Sequence, residues 1–154
     1  MSGTLALVGG GEWTDGCDFD VELLSLSGGT EVVVVPTAAA FENPRKVADR
    51  ARAWFATLGA TVDVLPVLRR SDGLDPDVVA RAAGARFVYL AGGSPMHLRS
   101  VLKDSPLWDA IVSAWHGGAV LAGAAEGATV LSTHMVDARG GAFTVGLDLL
   151  EDVT

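Results

Sequence analysis

Five short apolar segments, each ended by glycine or proline, constrain the fold of this chain more than any other feature. They are residues 4–10, 31–40, 60–67, 85–93 and 118–124. Continuous apolar runs rich in β-branched residues are typical of strands buried on both faces of a sheet. The second segment, for example, has four consecutive valines before Pro36. The segments therefore predict a sheet whose two faces are both covered.

Helical patterns fill the gaps between these segments. They cover residues 42–59, 75–84, 94–104 and 106–118. In the longest of them, Val47, Ala51 and Phe55 recur at helical spacing. Pro44 suits its first turn and Gly59 its end. Strands that alternate with helices need crossover connections, so we expect an α/β three-layer sandwich with a mainly parallel sheet.

Length and charge limit the domain organisation and the partners. A chain of 154 residues has the size of one domain, and we expect residues 1–154 to form a single α/β domain. The net charge of -8 disfavours nucleic acid and anionic membranes, which are themselves negatively charged. No apolar segment has membrane-spanning length, and the first residues lack a basic leader. We therefore expect a cytoplasmic protein.

Three of the predicted strands end in glycine-rich turns, at residues 9–11, 92–94 and 123–127. Ligands of parallel α/β sheets bind at the carboxyl ends of the strands, and backbone amides in such turns approach a ligand closely. The first turn fails the dinucleotide fingerprint because Thr14 stands at the third glycine position, and the chain has no P-loop motif. We expect no cofactor. An oxyanion hole, which stabilises negative charge on a reacting oxygen, is the alternative use of these amides.

The third turn has the spacing of a nucleophile elbow without its nucleophile. The pattern G-x-S-x-G presents a serine hydroxyl at a sharp turn between a strand and a helix. Here the turn is Gly123-Ala124-Ala125-Glu126-Gly127, so a methyl group takes the place of the hydroxyl. Because a methyl group cannot attack a carbonyl, the sequence does not support a serine mechanism.

Three segments carry a resemblance to a known family. In order and spacing, "YLAGGSPMHLRSVL", "VLAGAAEGATVLS" and "MVDARGGAFTVGLDLL" are similar to the cyanophycinase and aspartyl dipeptidase (dipeptidase E-like) family of serine peptidases. The early segments "LVGGGEW" and "VVVVPTAAA" also resemble its first two strands. The resemblance implies a class I glutamine amidotransferase-like fold, which is flavodoxin-like. It also implies a preference for aspartate-containing peptides.

Carried over by position, the resemblance assigns roles to particular residues. The family's elbow serine falls on Ala125, and the amides of its oxyanion hole fall at Gly93 or its neighbour and at Glu126. The family's catalytic histidine lies several tens of residues after the nucleophile, which would be beyond Thr154. We therefore expect the domain to lack the C-terminal part of the family.

Glu126, His97 and His134 are the candidates for a replacement chemistry. A carboxylate nucleophile is chemically possible, but Glu126 follows the apex of the elbow and also suits the positive end of a helix. His97 follows the second glycine-rich turn, and His134 follows the elbow helix near Asp137. A structural or surface role is the alternative for both histidines. No histidine spacing suggests a metal site, so we expect no metal.

A second group of residues is expected to bind a ligand without taking part in chemistry. Its members are Gly92, Gly93, Ser94, Glu126 and Gly11, with Trp13 as a possible pocket wall. The ligand that suits them is a small acidic peptide or an amide.

Three hypotheses about function stay open. The chain is a serine peptidase scaffold impaired at Ala125, a non-catalytic binding or interaction protein on that scaffold, or an enzyme of altered chemistry that uses Glu126 with His97 or His134. Because a parallel sheet that stops after "LEDVT" would leave an apolar edge, we also expect a homodimer or a marginally stable monomer.

Overall fold

The computed structural model describes residues 2–153 and contains a five-stranded parallel sheet. The strands are β1 (Leu5–Val8), β2 (Glu31–Val35), β3 (Thr61–Val64), β4 (Phe87–Leu90) and β5 (Val120–Ala124). Their order across the sheet is β1-β5-β4-β2-β3, and all neighbours run parallel. The predicted α/β fold with a mainly parallel sheet is confirmed. Residues 1 and 154, the ends of the predicted domain, lie outside the described residues.

Helices cover both faces of this sheet. They are α1 (Phe19–Ser27), α2 (Pro44–Thr57), α3 (Pro76–Ala83), α4 (Pro95–Leu102), α5 (Pro106–His116) and the short α6 (Glu126–Thr129). On one face, Val34 and Tyr89 belong to a cluster with Phe55 of α2. On the other face, Leu90 belongs to a cluster with Leu98 of α4. Successive side chains of a strand point to opposite faces of the sheet, so neighbouring residues such as Tyr89 and Leu90 pack against different helix layers.

Local signals explain where the four predicted helices begin. Each has a capping side chain followed by proline at its first position: Asn43, Asp75, Ser94 and Ser105. Ser105, for example, accepts a hydrogen bond from the Trp108 amide at 3.0 Å. The capping side chain accepts a hydrogen bond from an amide that has no acceptor within the helix. Proline is accommodated at the first helical position because the N–H that it lacks would have no acceptor there.

α1 was not predicted from the sequence, because only some of its apolar side chains face the core: Leu23 is buried there. Phe19, Val21 and Leu26 are exposed, whereas Asp20 and Ser27 are buried. The apolar residues of α1 therefore do not form the single stripe by which an amphipathic helix is found. α1 is held by Leu23 in the core and by the hydrogen bond between Asp20 and Trp54, and the sequence pattern does not reveal the second contact.

After α6 the chain leaves the main sheet. It forms an antiparallel hairpin of β6 (His134–Val136) and β7 (Phe143–Val145). The following residues return to the end of α6, where the Leu147 amide donates to the Val130 carbonyl at 2.7 Å. Within residues 2–153, no helix combines the length and the apolar character needed to cross a membrane.

Candidate functional site

The sheet register brings the predicted turns together. β1 and β4 both pair with β5, with Val8 opposite Ala124 and Leu90 opposite Gly123. The turns that follow these three strands therefore lie side by side at the carboxyl edge of the sheet. This is the edge at which parallel α/β proteins bind their ligands.

The elbow keeps the backbone shape of a nucleophile turn. Ala125 has φ 49° and ψ −112°, a left-handed conformation that an L-residue adopts only under strain. Its amide donates to the Val8 carbonyl at 2.8 Å, which ties the elbow to β1. A Cβ at Gly123 would collide with the Gly127 carbonyl, and one at Gly127 with the Leu90 carbonyl. The tight turn therefore depends on the absence of side chains at Gly123 and Gly127.

The Glu126 side chain crosses from the elbow to the neighbouring turn. Its Oε2 accepts a hydrogen bond from the Gly93 amide at 2.9 Å. A Cβ at Gly92 would lie 2.9 Å from the same oxygen, so the absence of a side chain there leaves room for the carboxylate. The carboxylate thus lies between the second and third glycine-rich turns, and it accepts from an amide that the family resemblance assigns to an oxyanion hole.

The second turn is held by the loop after β2. Gly93 has φ 147°, and a Cβ there would collide with the backbone of Ala38. The Ser94 amide donates to the Ala38 carbonyl at 2.7 Å, and the Ser94 side chain accepts from the His97 amide at 3.2 Å. Ser94 therefore caps α4 and fixes the direction of the Gly93 amide.

The two candidate histidines make contacts away from Glu126. His97 Nε2 lies 2.7 Å from the Leu68 carbonyl, so this nitrogen carries a proton and donates it. The ring also packs edge-on against Phe41, with centroids 4.7 Å apart. His134 is exposed on β6. Among the hydrogen bonds of residues 2–153, none joins either histidine to Glu126.

Gly11 and Trp13 lie in the loop after β1. Gly11 has φ 65°, and its carbonyl accepts from the Thr14 hydroxyl at 2.6 Å. Trp13 has φ 61°, is buried, and packs edge-on against Tyr89 with centroids 5.2 Å apart. Arg50 lies over the Trp13 ring at 5.7 Å from its centroid. Trp13 therefore contributes to the core beneath the loop and shows little surface to a ligand.

Near Tyr89 lies a buried polar group that the sequence did not predict. Asp20 is fully buried and accepts from Trp54 Nε1 at 2.8 Å. Burial raises its pKa to about 6, while the Trp54 hydrogen bond opposes the rise. Within the described chain, Asp20 Oδ1, Tyr89 Oη and Trp13 Nε1 have no hydrogen-bond partner. The sequence pattern does not signal this group, because Asp20 is buried between two apolar neighbours, Phe19 and Val21, that are exposed.

Cavities adjoin the second and third glycine-rich turns. The larger, of about 420 Å³, adjoins the elbow and is lined by Leu7, Val8, Gly9, Ala125, Glu126, Ala128 and Thr129. The smaller, of about 100 Å³, is lined by Ser94, Pro95, Met96, Asp137, Ala138 and Arg139. The hydrogen bond from Arg139 lowers the pKa of Asp137 to about 2, so this carboxyl is ionised. No group of His, Cys, Asp and Glu side chains in the described part of the chain has the arrangement of a metal site.

Comparison with known proteins gives a consistent result. The sequence model of peptidase family S51 matches residues 5–145. The cyanophycinase of Geminocystis herdmanii is 30% identical over 112 residues, or 71% of this chain. The cyanophycinase of a Nostoc species is 29% identical over 125 residues, or 80% of this chain. The chain spans 41% of the length of each of these relatives.

Solved structures show the same fold. A peptidase from an acI-B1 Actinobacterium superposes with a TM-score of 0.89 at 33% identity, covering 97% of this chain and 65% of that one. A putative peptidase E protein from Listeria monocytogenes has a TM-score of 0.74 at 19% identity, covering 97% of this chain and 76% of that one. The second likeness concerns the fold alone.

Proposed function

Because this chain belongs to peptidase family S51, we propose that it is a non-hydrolysing member that binds small aspartate-containing peptides or amides without cleaving them. The chain has the scaffold of a hydrolase of this family, similar to the cyanophycinases. One observation carries the proposal. The residue at the strained apex of the elbow, Ala125, ends in a methyl group.

The chemistry of the elbow supports the absence of hydrolysis. Peptide cleavage by a serine peptidase begins with attack of a hydroxyl oxygen on the carbonyl, and a methyl carbon has no lone pair to form that bond. The carboxylate next in sequence, Glu126, is directed to the Gly93 amide. Its hydrogen bond therefore draws it toward the neighbouring turn rather than toward a histidine.

The ligand class rests on the family resemblance, because the charges near the second turn form a closed ion pair. Arg139 lines the small cavity beside Ser94 and is largely exposed, although it also bonds Asp137 through two nitrogens at 3.0 and 2.8 Å. The paired N–H donation of the Arg139 guanidinium is therefore already taken by the ionised Asp137, and the two charges balance each other. An acidic peptide is proposed as the ligand from the family resemblance alone.

The test is a hydrolysis assay combined with a binding measurement. The protein is incubated with the aspartyl dipeptide Asp-Leu, and release of free amine is followed beside the Glu126→Gln variant. We expect no release above buffer by either protein, and binding of the intact dipeptide by calorimetry. Hydrolysis by the wild type that disappears in Glu126→Gln would contradict the proposal and favour the altered chemistry.

A further inference from the structure

We propose that the Glu126 carboxylate is an internal ligand of the second turn. It accepts the hydrogen bond of the Gly93 amide and so prevents carboxylates and carbonyls of other molecules from accepting it. The inference rests on the proposed function in one respect, namely that ligands approach this edge of the sheet. The further claim is that the chain's own Glu126 blocks the Gly93 amide, the group at this edge that would otherwise bind an anion.

The geometry around the amide carries this inference. Gly93 N and Glu126 Oε2 are 2.9 Å apart, which is an ordinary length for an N–H···O hydrogen bond. The direction of the amide is fixed, because a left-handed Gly93 packs against Ala38. The carboxylate reaches it over Gly92, whose lack of a Cβ leaves the passage open. Both partners are therefore held in place before any ligand arrives.

Competition favours the internal carboxylate over an external one. A group tethered to the same chain acts at an effective concentration on the order of millimolar or higher. A carboxylate also accepts a stronger hydrogen bond than the neutral carbonyl of a peptide does. A free anion additionally meets the negative charge of Glu126, which opposes its approach. The amide is consequently unavailable to anions while residue 126 is glutamate.

The experiment follows the Gly93 amide directly. Its resonance in a proton–nitrogen correlation spectrum is titrated with sodium acetate, replacing sodium chloride so that ionic strength stays constant. The proteins are the wild type, Glu126→Ala and Glu22→Ala. Glu22 is exposed on α1, so its removal changes the net charge equally but leaves the turn untouched.

We expect the Gly93 resonance to shift with acetate in Glu126→Ala at a concentration about tenfold lower than in the other two proteins. Amide hydrogen exchange at Gly93 should also become faster in Glu126→Ala, because the acceptor is gone. Equal acetate responses in the wild type and Glu126→Ala would overturn the proposal. So would unchanged exchange at Gly93.

A conservative variant covers the case in which Glu126→Ala does not fold. Glu126→Gln keeps the side-chain length and an acceptor oxygen but loses the charge. We expect acetate to reach Gly93 more readily in Glu126→Gln than in the wild type, and equal responses would again overturn the proposal. Acetate has no bond to hydrolyse, so this result is independent of the peptidase assay, and failure of one proposal does not imply failure of the other.

Discussion

Asp20 is an ionisable side chain that folding takes completely out of water. Only one of its oxygens is bonded, to Trp54, and the hydroxyl of Tyr89 nearby also lacks a partner within residues 2–153. Burial disfavours the charged form of a carboxyl, which is why the pKa of Asp20 rises from 3.8 to about 6. Burial also raises the pKa of Tyr89, and the negative charge of Asp20 adds to that rise. The interior therefore favours a neutral Asp20.

The pH dependence of stability follows from the raised pKa of Asp20. The unfolded carboxyl releases its proton near pH 3.8 and the folded one near about pH 6, so between these values the folded state binds more protons. The stabilisation from Asp20 is therefore complete below the lower value and is lost as the pH rises through the upper one. The shift corresponds to a contribution of about 3 kcal/mol to the free energy of unfolding.

Asp20→Asn should abolish this dependence, because asparagine does not titrate but keeps an oxygen for Trp54. We expect the variant to be more stable than the wild type by up to about 3 kcal/mol at neutral pH, and nearly equal to it near pH 4. Urea unfolding across this range measures the difference. Asp15→Asn, at an exposed position in the preceding loop, is the control. A difference that does not vary with pH would contradict the prediction.

At the scale of elements, the elbow depends on close approach of backbones. β5 runs into α6 against the end of β4, and Gly127 lies where a Cβ would collide with the Leu90 carbonyl. Backbone atoms of a central strand cannot move aside as a flexible side chain does. This contact, rather than the identity of residue 125, positions the turn.

Gly127→Ala should therefore destabilise the protein by about 2 kcal/mol or more through overpacking. Gly140→Ala is the matched control, since nothing lies within 4 Å of a Cβ built there. We expect its effect to stay within about 0.5 kcal/mol. Thermal and urea unfolding of the two variants measure the contrast. Similar losses in both would show that the close approach to Leu90 is not what the elbow requires.

At the scale of the whole molecule, β1 and β3 are the two edge strands of the sheet. In the described chain β1 pairs with β5 alone, and Leu7 on β1 is 54% exposed. Phe143 on the hairpin is 69% exposed. Exposed strand edges with apolar side chains readily pair with another chain. We propose that two copies associate through β1.

Leu7→Lys should dissociate such a dimer, because a charge on an edge strand opposes pairing. Leu26→Lys is the control: Leu26 is 53% exposed but lies on α1, away from the sheet edge. Sedimentation velocity should show a dimer for the wild type and Leu26→Lys, and a monomer for Leu7→Lys. A monomeric wild type would contradict the prediction.

The sequence by itself determined the features that depend on short-range preferences. Unbroken valine runs predict buried strands, and a capping residue followed by proline marks where α2 to α5 begin. The elbow spacing also placed Ala125 at a turn between β5 and α6. These signals are readable because each is complete within a few residues.

Only the tertiary structure decided which distant groups meet. Glu126 and Gly93 are 33 positions apart, and Asp20 and Trp54 are 34 apart. Their contacts arise from the strand order, which places β5 beside β4 and α1 beside the core. No local pattern encodes that order, and in α1 the buried Asp20 lies between two exposed apolar residues, Phe19 and Val21. Both hydrogen bonds are therefore consequences of packing: the strand order brings Glu126 to Gly93, and the packing of α1 and α2 on one face of the sheet brings Asp20 to Trp54.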